Sequence, residues 1–127
     1  MRIISFAWTT PALLKGHKTV TRREWNDDYA QRFQKGDFVQ AYDKNPRIGG
    51  KQVAIIQLTT KPYKEWSNLA SMIEWRNEGF EYLQSIDAKC NEFSPIEIWT
   101  DWHENPRYLW VVRFQLVSLT NIKVGKE

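Results

Sequence analysis

One cysteine, five prolines, six glycines and two histidines are all that the 127 residues hold of these types. The single thiol, Cys90, excludes an internal disulfide framework and points to a reducing compartment. No uninterrupted apolar run approaches the roughly 18 residues of a membrane span. The opening stretch, Met1 to Trp8, lacks the long apolar centre of a secretory signal. These absences lead to the expectation of a soluble, cytoplasmic protein. His17 and His103 have no partner at metal-ligand spacing, so no structural zinc site is implied, and no cofactor. A Cys–His nucleophile has no local support either. Scarce glycine and proline, with 14% aromatics and a net charge of only +3, exclude low-complexity disorder.

What is present is an aromatic-rich chain of one domain's length with an uneven charge. Residues 1–51 carry ten Lys/Arg against five Asp/Glu, whereas residues 52–127 carry eight against ten. Lys15, Lys18, Arg22 and Arg23 crowd into nine residues. Such a cluster attracts phosphate or other anionic groups, though an ordinary solvated surface has the same look.

The pattern of apolar residues predicts a strand at 3–8 and a short helix at 9–16, with Pro11 at its start and Gly16 at its end. A second short helix begins at Asn26 and closes at Lys35-Gly36. Strands are expected at 37–42, 52–59 and 108–117, and a turn-rich basic loop at 44–50. Leu69, Met72, Ile73, Phe80 and Leu83 recur at near-helical spacing, which predicts two short helices meeting at Asn77-Glu78-Gly79. Ser94 and Glu97 form a capping box ahead of another helix. The expected class is α+β: a small mixed β-barrel with short helices covering one rim and a cleft beneath them.

The run Gly16-His17-Lys18-Thr19-Val20-Thr21-Arg22-Arg23-Glu24-Trp25 is the richest in chemistry. A threonine hydroxyl becomes a nucleophile when a neighbouring base takes its proton. A lysine can be that base when burial or positive neighbours depress its pKa. Lys18 and Thr21 meet if the segment is a turn or short helix, and face opposite sides if it is extended. Trp66, Trp75 and Trp110 sit in periodic apolar contexts and are read as core. Trp8 and Trp25 stand beside the basic run, where either could flank a pyrimidine. Lys44, Arg47 and Lys51 could grip phosphates or be plain loop charges. Trp99 to Glu104 reads as a helix end.

The spacing Gly16-x-Lys18-x-x-Thr21-x-Arg23 resembles the signature of the ASCH domain family, whose fold is a β-barrel similar to the PUA RNA-binding domain. Phe33-x-x-Gly36-Asp37 looks like that family's entry into its next strand. Glu78-Gly79-Phe80 resembles a further family element. The resemblance runs over most of the chain and implies one domain, 1–127, with 84–106 looking like an insertion beyond the smallest members. It implies an amidohydrolase that removes the acyl group from N4-acetylcytidine or a related small amide. Lys18, Thr21 and Glu78 would be the catalytic residues, with Glu74 and Glu81 as neighbouring alternatives to Glu78. Arg22, Arg23, Trp8 and Trp25 would bind substrate. It equally allows a noncatalytic RNA-binding module, or a ribonuclease acting on single-stranded RNA in the same cleft. The implied partners are thus a small nucleoside or single-stranded RNA, and no membrane.

Overall fold

The computed structural model describes residues 1–120. Strand β1 (Arg2–Ser5) runs into a 3-10 turn at Ala7–Thr9 and helix α1 (Thr10–Leu14). Strand β2 (Val20–Arg23), helix α2 (Asp27–Ala30), strand β3 (Phe38–Tyr42) and strand β4 (Gln52–Leu58) follow. Then come β5 (Tyr63–Trp66), α3 (Met72–Asn77), α4 (Phe80–Ser85), α5 (Pro95–Glu104) and the long strand β6 (Tyr108–Leu119). The class is α+β, a curled six-stranded half-barrel with five short helices. Among the described residues, no helix is long and apolar enough to cross a membrane.

The strand order is β1-β3-β4-β6-β2, with β5 also paired to β6. Among the described residues, only β1–β3 is parallel. The twelve residues of β6 serve two sheet segments: Phe114 to Leu119 pair with β4, and the earlier half pairs with β2 and β5. Beyond this handover, a register shift at Ile55/Ile56 leaves Val117 of β6 as an extra residue, and such a bulge bends a strand and increases its twist. The curl brings the two ends of the strand path together, so that Arg23 of β2 donates from Nη2 to the Ser5 carbonyl of β1 at 2.7 Å.

Inside the curl, Ile4, Phe6, Phe33, Ile56, Leu58 and Phe114 form the main core. A second apolar cluster, built on Ala12, Phe80, Leu83 and Trp99, joins α1 to α4 and α5. Local signals act as expected at several ends. Asn26 accepts from the Tyr29 N–H, and Ser94 and Glu97 complete their capping box.

Three expectations are corrected, and one strand is added. The first strand stops at Ser5, because the chain turns at Ala7 to carry Trp8 and Thr9 over the barrel rim. Tyr63–Trp66 is a strand that no strong alternation marks; β6 supplies its partner. Trp66 is half-exposed, its ring stacked on Tyr108 rather than buried in core. Leu69, Met72 and Ile73 also face outward, Met72 at 73% and Ile73 at 64% exposure. In α3 the buried side instead carries Glu74, with Glu78 just past the helix end. Of the apolar residues of α3, Trp75 packs inward on Phe80 and Trp99, while Met72 and Ile73 face out and Glu74 takes an inner place beside Arg22 and Arg113.

Candidate functional site

Lys18 lies between α1 and β2. Gly16, at φ +77°, turns the chain out of α1, and the N–H groups of His17 and Lys18 both bond the Ala12 carbonyl. Lys18 and Glu78 then form an isolated antiparallel bridge, and the Thr19 N–H donates to the Asn77 carbonyl at 2.7 Å. Main chain thus holds the two segments side by side. Lys18 Nζ donates to Glu78 Oε1 at 2.9 Å and to the Glu78 carbonyl at 3.0 Å. Lys18 is 2% exposed and Glu78 1%. Gly79 makes this approach possible for two reasons. Its φ is +83°, and a Cβ there would lie 2.6 Å from Ala12 Cβ and 3.2 Å from Lys18 Cβ. No other residue type fits both the conformation and the space.

On β2, alternation separates the next three residues. Thr21 and Arg23 share a face, where Arg23 Nε donates to Thr21 Oγ1 at 3.0 Å and the guanidinium lies over the Phe6 ring. Arg22 takes the other face. Its Nη1 donates to Glu78 Oε2 at 2.6 Å, and its Nη2 to Glu74 Oε1 at 2.7 Å. The segment 20–23 is therefore extended, which pairing with β6 dictates. Lys18 stands outside that strand and still reaches the same hollow as Thr21. No direct hydrogen bond joins the two among the described residues. Of the three candidate carboxylates, Glu78 is the one on Lys18. Glu74 binds Arg22 and Arg113, and Glu81 lies in the open beside Arg76.

Burial depresses the Lys18 pKa, and Arg23 and Arg22 add to that. The attraction and hydrogen bond of Glu78 oppose it without overcoming it. Burial likewise lowers the Arg23 pKa to about 10, against the pull of Glu78, so it stays a cation at neutral pH. For Arg22 the balance reverses. Burial would lower its pKa, but the carboxylates of Glu78 and Glu74 together raise it.

Lys18, Thr21, Arg22, Arg23 and Glu78 all line one cavity of about 660 Å³ between β2, the Ser5–Thr9 turn and helices α4 and α5. Trp8 is on its wall, stacked on Phe80 at 5.7 Å. Trp25 is not. Its indole stacks on Phe33 at 4.8 Å and meets Tyr29 edge-on, packed against the main core. Lys44, Arg47 and Lys51 are exposed and outside the lining.

The opposite wall comes from residues that the sequence reading passed over. Phe93, Ile98, Asp101 and Trp102 all face the cavity from the 84–106 segment. Trp99 to Glu104 is thus more than a helix end. Ile98, Asp101 and Trp102 stand three and four apart, one stripe of α5, and that spacing was the available signal. At the mouth, Asp101 pairs with Arg107.

No family model matches the chain. No curated protein matches it either. Among solved structures it is similar to the crystal structure of protein EF3133 from Enterococcus faecalis V583, described as DUF984, with a TM-score of 0.54 and 17% sequence identity. The match covers 94% of this chain and 77% of the other. A likeness at that identity speaks for the fold alone, a curled half-barrel with short helices.

Proposed function

We propose that this protein is a hydrolase that removes the acyl group from an N4-acylated cytidine or a related small amide. The observation that carries the reading is the buried Lys18–Glu78 pair, 2.9 Å apart, which opens with Thr21 onto a single cavity. The ASCH-like spacing of Gly16, Lys18, Thr21 and Arg23 supports it. So does the volume: pockets of ~300–1,000 Å³ suit small molecules, and 660 Å³ falls within that range.

Lys18 Nζ has four tetrahedral positions. One is its own chain, and two carry the hydrogens given to Glu78. When the amine is neutral, the fourth holds the lone pair that can take a proton. The depressed pKa makes that neutral form accessible. Thr21 Oγ1 accepts from Arg23, which leaves its own hydrogen free to give. In the reaction Thr21 Oγ1 attacks the amide carbonyl carbon and its proton passes to Lys18, over one water where the two do not touch. Arg23 Nη1, which has no hydrogen bond among the described residues, faces the developing oxyanion. The carbon–nitrogen bond then breaks, and the Lys18 ammonium returns the proton to the departing exocyclic nitrogen. Water attacks the resulting threonine ester with Lys18 again as base, releasing the carboxylic acid and restoring Thr21. Glu78 orients the amine throughout.

Incubation of the purified protein with N4-acetylcytidine should yield cytidine and acetate. Thr21→Ala and Lys18→Met should each lower kcat by about 10³-fold or more, as loss of a nucleophile or its base does. Wild-type protein that releases no cytidine would overturn the assignment.

A further inference from the structure

We propose that Glu74 is a positioning residue, acting through the Arg22 guanidinium to hold Glu78 where Glu78 in turn holds Lys18. The inference rests on the functional reading above. Glu74 and Glu78 are four residues apart, on the inward side of α3 and its end. Two carboxylates at that spacing repel, so a shared face needs a cation between them. Arg22 supplies it, with Nη1 on Glu78 and Nη2 on Glu74. A planar guanidinium grasped at both ends cannot rotate without breaking one contact. The side chain of Arg22 is 1% exposed, so water does not replace what is lost.

Glu74 is itself anchored more firmly than charge neutralisation requires. Its Oε1 also accepts from Arg113 Nη2 at 2.7 Å, and its Oε2 accepts from Asn77 Nδ2 at 2.8 Å and from Arg113 Nη1 at 3.3 Å. The line Arg113–Glu74–Arg22–Glu78–Lys18 therefore runs from β6 through α3 and β2 to the reacting amine. It ties the angle of the Glu78 carboxylate to the sheet itself. The charged groups that face Glu78 are Lys18 ahead of β2 and Arg22 and Arg23 on it. Glu65 of β5 reaches it only through Arg22, at 3.4 Å.

The test is Glu74→Gln, which keeps the shape and loses the charge and the forked grip. Steady-state kinetics with N4-acetylcytidine, well below the melting temperature, should show kcat lower by about tenfold with KM within about twofold, the pattern of a misplaced reacting group. NMR titration of selectively labelled lysine should show the Lys18 midpoint moving to lower pH. Removing one carboxylate and loosening another both favour the neutral amine. Glu74→Asp should recover part of kcat. Arg113→Lys, which keeps the charge but not the fork, should move both readouts the same way by less, and serves if Glu74→Gln does not fold. A wild-type kcat and Lys18 midpoint with only a lower Tm would overturn the proposal. If wild-type protein does not turn over N4-acetylcytidine, the functional reading fails. The Lys18 titration then decides the positioning claim alone.

Discussion

Ile4, Phe6, Ile56 and Phe114 fill the inside of the curled sheet, while a short way along β2 the fold buries Lys18, Arg22, Glu74 and Glu78 with almost as little exposure. The first region is held by apolar area removed from water, at about 25 cal/mol per Å² and with little demand on direction. The second is held by a chain of charge-assisted hydrogen bonds, each of which needs its partner in place. Such groups are expensive to desolvate, and a matched apolar cluster is often as stable or more so. A fold that had only to be stable would have little reason to turn Glu74 of α3 and Glu78 at its end inward while Met72 and Ile73 face outward. Local conflict of this kind is what a functional site would produce, and it agrees with the proposed reading.

The contrast can be broken most severely at Glu78. Glu78→Leu leaves Lys18 and Arg22 buried without their shared anion and should destabilise by about 3–5 kcal/mol, read by urea denaturation. Adding Lys18→Met to it should restore part of that loss, because one orphaned cation has gone. A double variant less stable than Glu78→Leu alone would contradict the ionic account. In the apolar region, Ile56→Ala should cost about 2–5 kcal/mol, and a second core change has no reason to compensate it.

Acid sharpens the difference next. Burial tends to raise the Glu74 pKa, but hydrogen bonds from Arg113, Arg22 and Asn77 outweigh it and lower the pKa from 4.5 to about 2. A carboxyl with a folded pKa below its unfolded one binds protons more readily when unfolded. Its stabilisation is therefore complete above about pH 4.5 and fades as pH falls toward 2. Stability followed by denaturation at successive pH values should decline over that window in the wild type, and more shallowly in Glu74→Gln. The smallest effect belongs to the outward face of α3. Met72→Ala and Ile73→Ala should each change stability by no more than about 0.5 kcal/mol. A loss of core size at either would show that the side-chain directions described for α3 are wrong.

Legibility followed the range of the forces involved. The helix starts at Asn26 and Ser94 and the break at Gly79 depend on neighbours within a few residues and could be read from the chain; the strands expected at 37–42, 52–59 and 108–117 are found within two residues of those bounds. Lys18 and Thr21 could be put forward from motif spacing, while Glu78 came only with the resemblance, beside Glu74 and Glu81. Trp66 and Ile73 misled because periodicity reports an apolar stripe without saying what the stripe faces. Trp25 misled for a related reason: adjacency to the basic run did not decide which side of the barrel rim its ring would take. The wall formed by Ile98, Asp101 and Trp102 needed the return of α5 over β2, which no local pattern contains.

By itself, then, the order of residues determined several helix starts and the main part of three strands, and which side chains carry an amine, a hydroxyl and a carboxylate worth bringing together. Folding in three dimensions decided that Lys18 and Glu78, sixty residues apart, share a buried hydrogen bond, and that Arg22 binds the same Glu78 carboxylate. The reason is physical. Backbone preferences act over a turn or a strand, whereas desolvation, and the pKa it depresses at Lys18, depends on everything that packs around the group.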